Sequence, residues 1–515
     1  MTSISSSPLT KIEPRLRPLL PADLYAVVWL DPSPTTLMSV FEHLRTLQRI
    51  LYDYIPRQVT EALPHPGETR FKWQEGTLMF TDLAGFTPLM EANSTHGRAG
   101  AETLLKVLNT YFTSMIEIVS KSGGDLLEFT GDALLARFTA ATRREDTAQA
   151  IRAGLRMQRA MSNFANIETP TGNFTLGMRV GIHNGRFLTA DIGTPRRMNH
   201  VLLGSDVQRT KQAEGAGTVE RVNLTDVAYS HVRDVYHFER DKEGYMLVID
   251  DLDEKELGEY DLSIRSRRVA SGVLFDRSVE GLLTEIEQQV AVVEPLASYL
   301  PMPILNLVVE SAAKRQIAPK FVDLTVMFVN LIGLTEAVDH APAGQEAGLV
   351  DSFSRAFALI NAAVESRGGV LKHVTYHLAG SDILIYFGVP NAHIDDPERA
   401  AAAAIAIRDI ITHFPPPVVD GKSYTLSCQI GLARGPIFAA EVGELRGRRE
   451  YNILGDSVNT AARLMTRASS NQILMTEAVE ESIKDHFRCT TIGSISLKGK
   501  STPMPVYTLE GPLEE

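Results

Sequence analysis

An α+β fold made of two ferredoxin-like βαββαβ domains is predicted by three observations on the 515-residue sequence. First, the chain runs twice through the same order of strand, helix and hairpin signals. Second, four glycine- or aspartate-bearing landmarks recur at spacings of 248 to 251 residues, a regularity that chance does not give. Third, strand, helix, hairpin, helix, strand is the order of a split βαβ sheet with helices packed on one face.

The landmarks set the alignment. Met79-Phe80-Thr81-Asp82-Leu83-Ala84-Gly85-Phe86-Thr87 faces Met327-Phe328-Val329-Asn330-Leu331-Ile332-Gly333-Leu334-Thr335, so Asp82 stands opposite Asn330. Phe129-Thr130-Gly131-Asp132 faces Leu378-Ala379-Gly380-Ser381, which sets Asp132 opposite Ser381. Gly181-Ile182-His183-Asn184-Gly185 faces Gly431-Leu432-Ala433-Arg434-Gly435, and Gly204-Ser205-Asp206-Val207-Gln208 faces Gly455-Asp456-Ser457-Val458-Asn459.

The elements follow in order. Residues 1 to about 35, rich in Ser and Pro, read as a loosely ordered tail. Leu37, Val40, Phe41, Leu44, Leu47 and Leu51 recur at helical spacing ahead of Tyr54-Ile55-Pro56. Val279, Leu282, Leu283, Ile286 and Val290 do the same ahead of Tyr299-Leu300-Pro301, so each domain has a lead-in helix. In the first copy Leu78-Met79-Phe80 is a buried strand, and Leu104, Leu108, Tyr111, Met115 and Val119 stripe one helix face up to Gly123-Gly124. A hairpin turns at Gly131-Asp132, a helix runs from Arg152 to Met161, and strands near 174–182 and 186–192 precede a helix after Gly204. The second copy repeats the plan, with Val350, Phe353, Phe357, Ile360 and Val364 as its helix stripe. The boundaries are 1–70 for the tail and lead-in helix, 71–255 for domain one, 256–314 for the linker and second lead-in helix, and 315–515 for domain two.

Composition narrows the function. At 44% hydrophobic and 22% charged the chain can bury ample core, and a net charge of −12 without basic runs argues against nucleic acid as a partner. Two cysteines, Cys428 and Cys489, are too few for a disulfide framework, so a cytoplasmic location is expected. No uninterrupted apolar stretch reaches the roughly 20 residues of a membrane span.

Asp82 ends a strand and Asp132 sits at the tip of the neighbouring hairpin, so both carboxylates can face one space. Two carboxylates plus substrate phosphates are the usual protein share of a magnesium site; strand-end and turn aspartates without that role are also common. The second copy has lost both acids and offers Asn459 and Arg463 instead, four apart and so on one helix face, where the first copy has Gln208 and Gln212.

Together the Phe-Thr-Asp-x-x-Gly-Phe-Thr strand end, the Gly-Asp hairpin and the Gly-x-x-Val-Asn-x-x-x-Arg helix start resemble the class III nucleotidyl cyclases, most closely the tandem-domain soluble adenylyl cyclase type. The resemblance implies an intramolecular pseudo-heterodimer with two clefts, one of them complete. It assigns Asp82 and Asp132 to two Mg²⁺ or Mn²⁺ ions, Asn459 to the ribose, and Arg463 to the triphosphate and the charge developing in transfer. Leu83, Phe86, Arg186, Lys372, Asn452 and Ile453 complete the expected substrate contacts. The helix after Gly85 would aim its free N–H groups at the phosphates.

The implied reaction is attack of the ribose 3′-oxygen on the α-phosphorus with loss of pyrophosphate. ATP is favoured because no acidic residue occupies the guanine-reading position, although Asn452 can both donate and accept hydrogen bonds. Lys372 is the basic candidate for the purine. Glu128, in the first-copy lysine slot, argues against activation by bicarbonate. A guanylyl cyclase and a catalytically silent nucleotide-binding module remain open, as does a regulatory domain or partner protein.

Overall fold

The computed structural model describes residues 8–258, 260, 276–376, 381–444, 447–497 and 502–513. The second hairpin turn, 377–380, and the linker core, 261–275, lie outside these residues. Domain one holds β1 (Arg70–Ala84), β2 (Gly124–Thr130), β3 (Ala133–Phe138), β4 (Gly177–Thr194), β5 (Arg197–Leu203), β6 (Val222–Thr225), β7 (Phe238–Arg240) and β8 (Tyr245–Val248). They form one sheet in the order β2-β3-β1-β4-β6-β8-β7, with β5 paired to the far half of β4. Its core order, β2-β3-β1-β4, is that of a βαββαβ unit.

Domain two repeats the plan strand for strand: β9 (Lys320–Ile332), β10 (Val370–Tyr376), β11 (Ser381–Phe387), β12 (Ser427–Gly443), β13 (Arg449–Leu454), β14 (Gln472–Thr476), β15 (Phe487–Ile495) and β16 (Met504–Pro512). The order is β10-β11-β9-β12-β14-β16-β15, with β13 on β12. Phe80 pairs with Leu135 as Phe328 pairs with Leu384, and Asn330 pairs with Asp382. Ser381 therefore takes the place of Asp132, as the glycine alignment requires.

The segments expected near 174–182 and 186–192 are one strand, β4, whose outer half continues past the sheet as an arm that carries β5. The long helices Gly97–Lys121 and Glu346–Glu365 bury the predicted stripes. Glu346–Glu365 is the described helix long and apolar enough to cross a membrane, and its Phe353, Phe357 and Ile360 are core residues of domain two.

The amino-terminal region departs from expectation. Pro8–Leu16 and Ala22–Leu30 are helices, because Leu9, Ile12, Leu16, Leu19 and Leu20 bury themselves in the same core as the lead-in helices. The lead-in helices, Pro34–Tyr54 and Val279–Ala297, begin with Ser33 and Ser278, whose side chains accept the N–H of Thr36 and Gly281 as caps. Tyr54-Ile55-Pro56 and Tyr299-Leu300-Pro301 line one cavity of about 70 Å³, so the two helices run parallel and end together over the seam between the domains.

Each helix end is tied to the other domain. The Tyr54 hydroxyl donates to Glu441 on the β12 arm, where Arg449 also bonds Glu441 at 3.0 Å. Tyr299 donates to Asp191 on the β4 arm at 3.1 Å, and Arg197 of that arm donates to the Tyr299 carbonyl at 2.9 Å. These crossed ties fix the two domains face to face.

Candidate active site

The antiparallel pairing of β1 with β3 brings the Asp82 strand end beside the turn between β2 and β3. Gly131 adopts φ +67° there, a conformation glycine takes without cost. Asp132 is half-buried, and burial followed by the charge of Asp82 pushes its carboxyl well above the usual carboxylate range. Two acids that repel each other in one partly dry space form a donor set that a divalent cation suits, since the cation removes the repulsion. Asp82 and Asp132 fit a Mg²⁺ or Mn²⁺ site on that ground.

Leu83 and Phe86 are buried at the end of β1 and the start of helix Phe86–Ser94. Between them Gly85 has φ +87°, and a Cβ there would meet the Thr175 carbonyl oxygen at 2.4 Å. The turn thus requires glycine, and the helix start, Phe86 and Thr87, borders the cleft.

Domain two supplies the opposite wall. Phe86, Gly131 and Asp132 line one cleft together with Ile453, Gly455 and Asn459. Asn459 and Arg463 lie one turn apart on helix Asp456–Arg467. Burial lowers the Arg463 guanidinium, while Asp456 and Asp82 hold its proton in place. The field of a domain-one acid thus reaches the domain-two cation. Asn452, fully buried on β13, donates from Nδ2 to the Gly131 carbonyl at 3.1 Å.

Three residues assigned no part in this cleft from the sequence form a charged network with Asp82. Arg179, directly opposite Asp82 in the β1–β4 register, donates to it at 2.5 Å and lies 2.9 Å from Glu214. Lys211 donates to the other oxygen of Glu214 at 2.6 Å. Burial alone would lower Arg179, but Glu214 and Asp82 more than reverse this.

In domain two the four aligned positions are neutral, although the buried Asp382 lies opposite Asn330 in the β9–β11 register. Asn330 donates to Gln429 at 2.8 Å in the same register, and Met465 and Ala462 stand where Glu214 and Lys211 would be. A signal existed in the aligned repeat: Arg179 and Gln429 both precede the landmark glycine by two, and Glu214 and Met465 both follow the next one by ten.

Two expected contacts lie elsewhere. Arg186 is seven residues beyond Arg179 on β4, and odd spacing on a strand places side chains on opposite faces. Its guanidinium stacks 3.8 Å from the centre of the Trp73 ring beside Glu346, and its backbone N–H donates to Asp206. That is the mirror-image cleft, where Ser205 N–H donates to Asp339 of domain two. Lys372 is a bulge residue between Leu371 and His373, matched in domain one by Leu127 and not, as the sequence spacing set it, by Glu128. It is 5% exposed, lines the cavity beneath Tyr54 and Tyr299, and sits 3.9 Å from Glu450. The bulge and the distance from the hairpin tip carry it away from the Asp132–Asn459 cleft.

The sequence profile of the adenylate and guanylate cyclase catalytic domain matches twice, over residues 71–258 and 317–511. The chain belongs to this class III cyclase family. Rabbit (Oryctolagus cuniculus) adenylate cyclase type 10 is 24% identical over 399 residues, which are 76% of this chain and 24% of the relative. An adenylate cyclase from Mycobacterium tuberculosis is 28% identical over 214 residues, 42% of this chain and 45% of that one. A class III adenylyl cyclase-like ATP-binding protein from Pseudomonas aeruginosa shares the fold, with a TM-score of 0.52 and 13% identity over 86% of this chain and 92% of that chain. The chain thus spans about a quarter of the length of the type 10 relative it matches.

Proposed function

We propose that the chain is an adenylyl cyclase that converts ATP to 3′,5′-cyclic AMP and pyrophosphate in the cleft between Asp132 and Asn459. One observation carries this reading: Asp132 of domain one and Asn459 of domain two line the same cleft, with Arg463 one turn beyond Asn459 and within the field of Asp82, while the domain-two positions aligned with Asp82, Arg179, Lys211 and Glu214 carry no charge. Asp82 and Asp132 would hold the divalent cations, which supply activation of the 3′-hydroxyl and neutralise the departing pyrophosphate. Asn459 orients the ribose so that its 3′-oxygen lies in line with the α-phosphorus. As the bond from the α-phosphorus to the bridging oxygen breaks, Arg463 and Arg179 offset the charge gathering on pyrophosphate.

The reaction is tested by incubating the protein with ATP or GTP and Mn²⁺ and identifying the cyclic product. Cyclic AMP is expected, with a drop of about 100-fold in kcat for Arg463→Ala. A wild type that binds ATP yet forms no cyclic nucleotide with Mg²⁺ or Mn²⁺ would instead be a silent nucleotide-binding module. The position of Lys372 outside the cleft favours that second reading.

A further inference from the structure

Arg179 is shared unequally between its two acids. Its terminal nitrogen donates to Asp82 Oδ2 at 2.5 Å. Its Nε lies 2.9 Å from Glu214 Oε1, yet both atoms are buried and, among the described residues, neither makes a hydrogen bond. The guanidinium is thus aligned on Asp82 and out of line with Glu214. Glu214 has no exposed surface, so no water can take up the slack. Its other oxygen is held by Lys211 at 2.6 Å, and that ammonium rests 4.4 Å from the centre of the Phe80 ring.

A guanidinium and a divalent cation gain from the same negative charge, so they compete for Asp82. An arginine that let go of Asp82 would meet Glu214, where a small swing brings Nε into line. The neutral half of the molecule supports reading these groups as one set. Asn330, Gln429, Ala462 and Met465 replace the acid, its counter-ion, the lysine and the second acid together.

We propose that Arg179 is the resident counter-ion of Asp82 in the metal-free site, and that Glu214 is its second berth, onto which Arg179 turns when a divalent cation occupies the acids. This rests on the metal site of the cyclase reading given above. Glu214 and Lys211 are then positioning residues, which touch no reacting atom and act on metal affinity through Arg179. Lys211, by drawing on the same carboxylate, keeps Glu214 from claiming Arg179 while Asp82 is empty.

The test measures Mn²⁺ binding without nucleotide, from the loss of the free-ion electron paramagnetic resonance signal, and so needs no turnover. Glu214→Asp keeps the charge but draws the berth back by one methylene. It should weaken Mn²⁺ binding by about 3- to 10-fold, the worth of one contact between polar groups. Arg179→Gln removes the competitor and should tighten Mn²⁺ binding by a similar factor. Loosening of the fold would weaken both variants, so the opposite signs are diagnostic.

Equal affinity in wild type and Glu214→Asp overturns the berth, and unchanged or weaker binding in Arg179→Gln overturns the competition. Should Arg179→Gln fail to fold, a crystal structure of the wild type with Mn²⁺ decides. Arg179 hydrogen-bonded to Glu214 and out of reach of Asp82 is expected; Arg179 still bonded to Asp82 beside the ion overturns the proposal. A protein that shows these shifts yet forms no cyclic nucleotide overturns the cyclase reading and supports this one. A wild type that binds no Mn²⁺ overturns both.

Discussion

Arg179 sits between two carboxylates, one at the cleft and one with no exposed surface. Removing it alone, as in Arg179→Met, leaves Glu214 and Asp82 short of a cation and should cost about 3 kcal/mol of stability, read as a shift in denaturant midpoint. Domain two shows how to remove the charges without that cost. The set Asp82→Asn, Arg179→Gln, Lys211→Ala and Glu214→Met should recover most of the lost stability while remaining inactive.

Asp132 gives a prediction in pH. Its carboxyl is raised in the fold, so the protonated form is favoured there, and its stabilising contribution is lost as pH rises through the raised value. Metal-free Asp132→Asn should therefore melt about 2–4 °C above wild type at neutral pH, with the difference vanishing in acid and activity abolished. Scanning calorimetry in chelator checks it; equal melting at every pH would mean the carboxyl is not strained. Asp82 and Asp132 were legible because a strand end and a turn are local. Arg179 was not read, because its meaning comes from the strand beside it.

At the scale of elements, the lead-in helices carry most of the information that sequence spacing hides. Leu37 to Leu51 announces a helix, but nothing in the spacing says that Tyr54 bonds an arm some 390 residues later. Tyr54→Phe and Tyr299→Phe should each cost about 1 kcal/mol, and the double variant about the sum, since the two ties share no partner. Urea unfolding of the three variants provides the measurement. The region before Pro34 was misread for a physical reason: its Ser and Pro content was weighed above Leu9, Ile12 and Leu16, which stand at helical spacing and find a core only once the lead-in helices pair. Lys372 was misplaced by counting back from a glycine across a bulge that the sequence does not mark.

For the whole molecule, the proposed site draws its acids from one half of a single chain and Asn459 and Arg463 from the other half of that same chain. Mixing Asp82→Asn protein with Arg463→Ala protein should therefore leave the mixture as inactive as its parts in a cyclic-nucleotide assay. Recovery of activity would mean that domains exchange between chains. The doubled plan was legible from four landmarks, whereas the crossed ties that hold the copies together were not, because they lie between copies rather than within one.

The neutral set of aligned positions in domain two also bears on descent. An Asp at position 330 would set a carboxylate beside Gln429 and directly opposite the buried Asp382, where the aligned positions 429, 462 and 465 supply no cation. A cation at 429 first would be equally stranded. Any one charge put back alone is therefore stranded, so the difference between the two halves can be undone only by several substitutions made together.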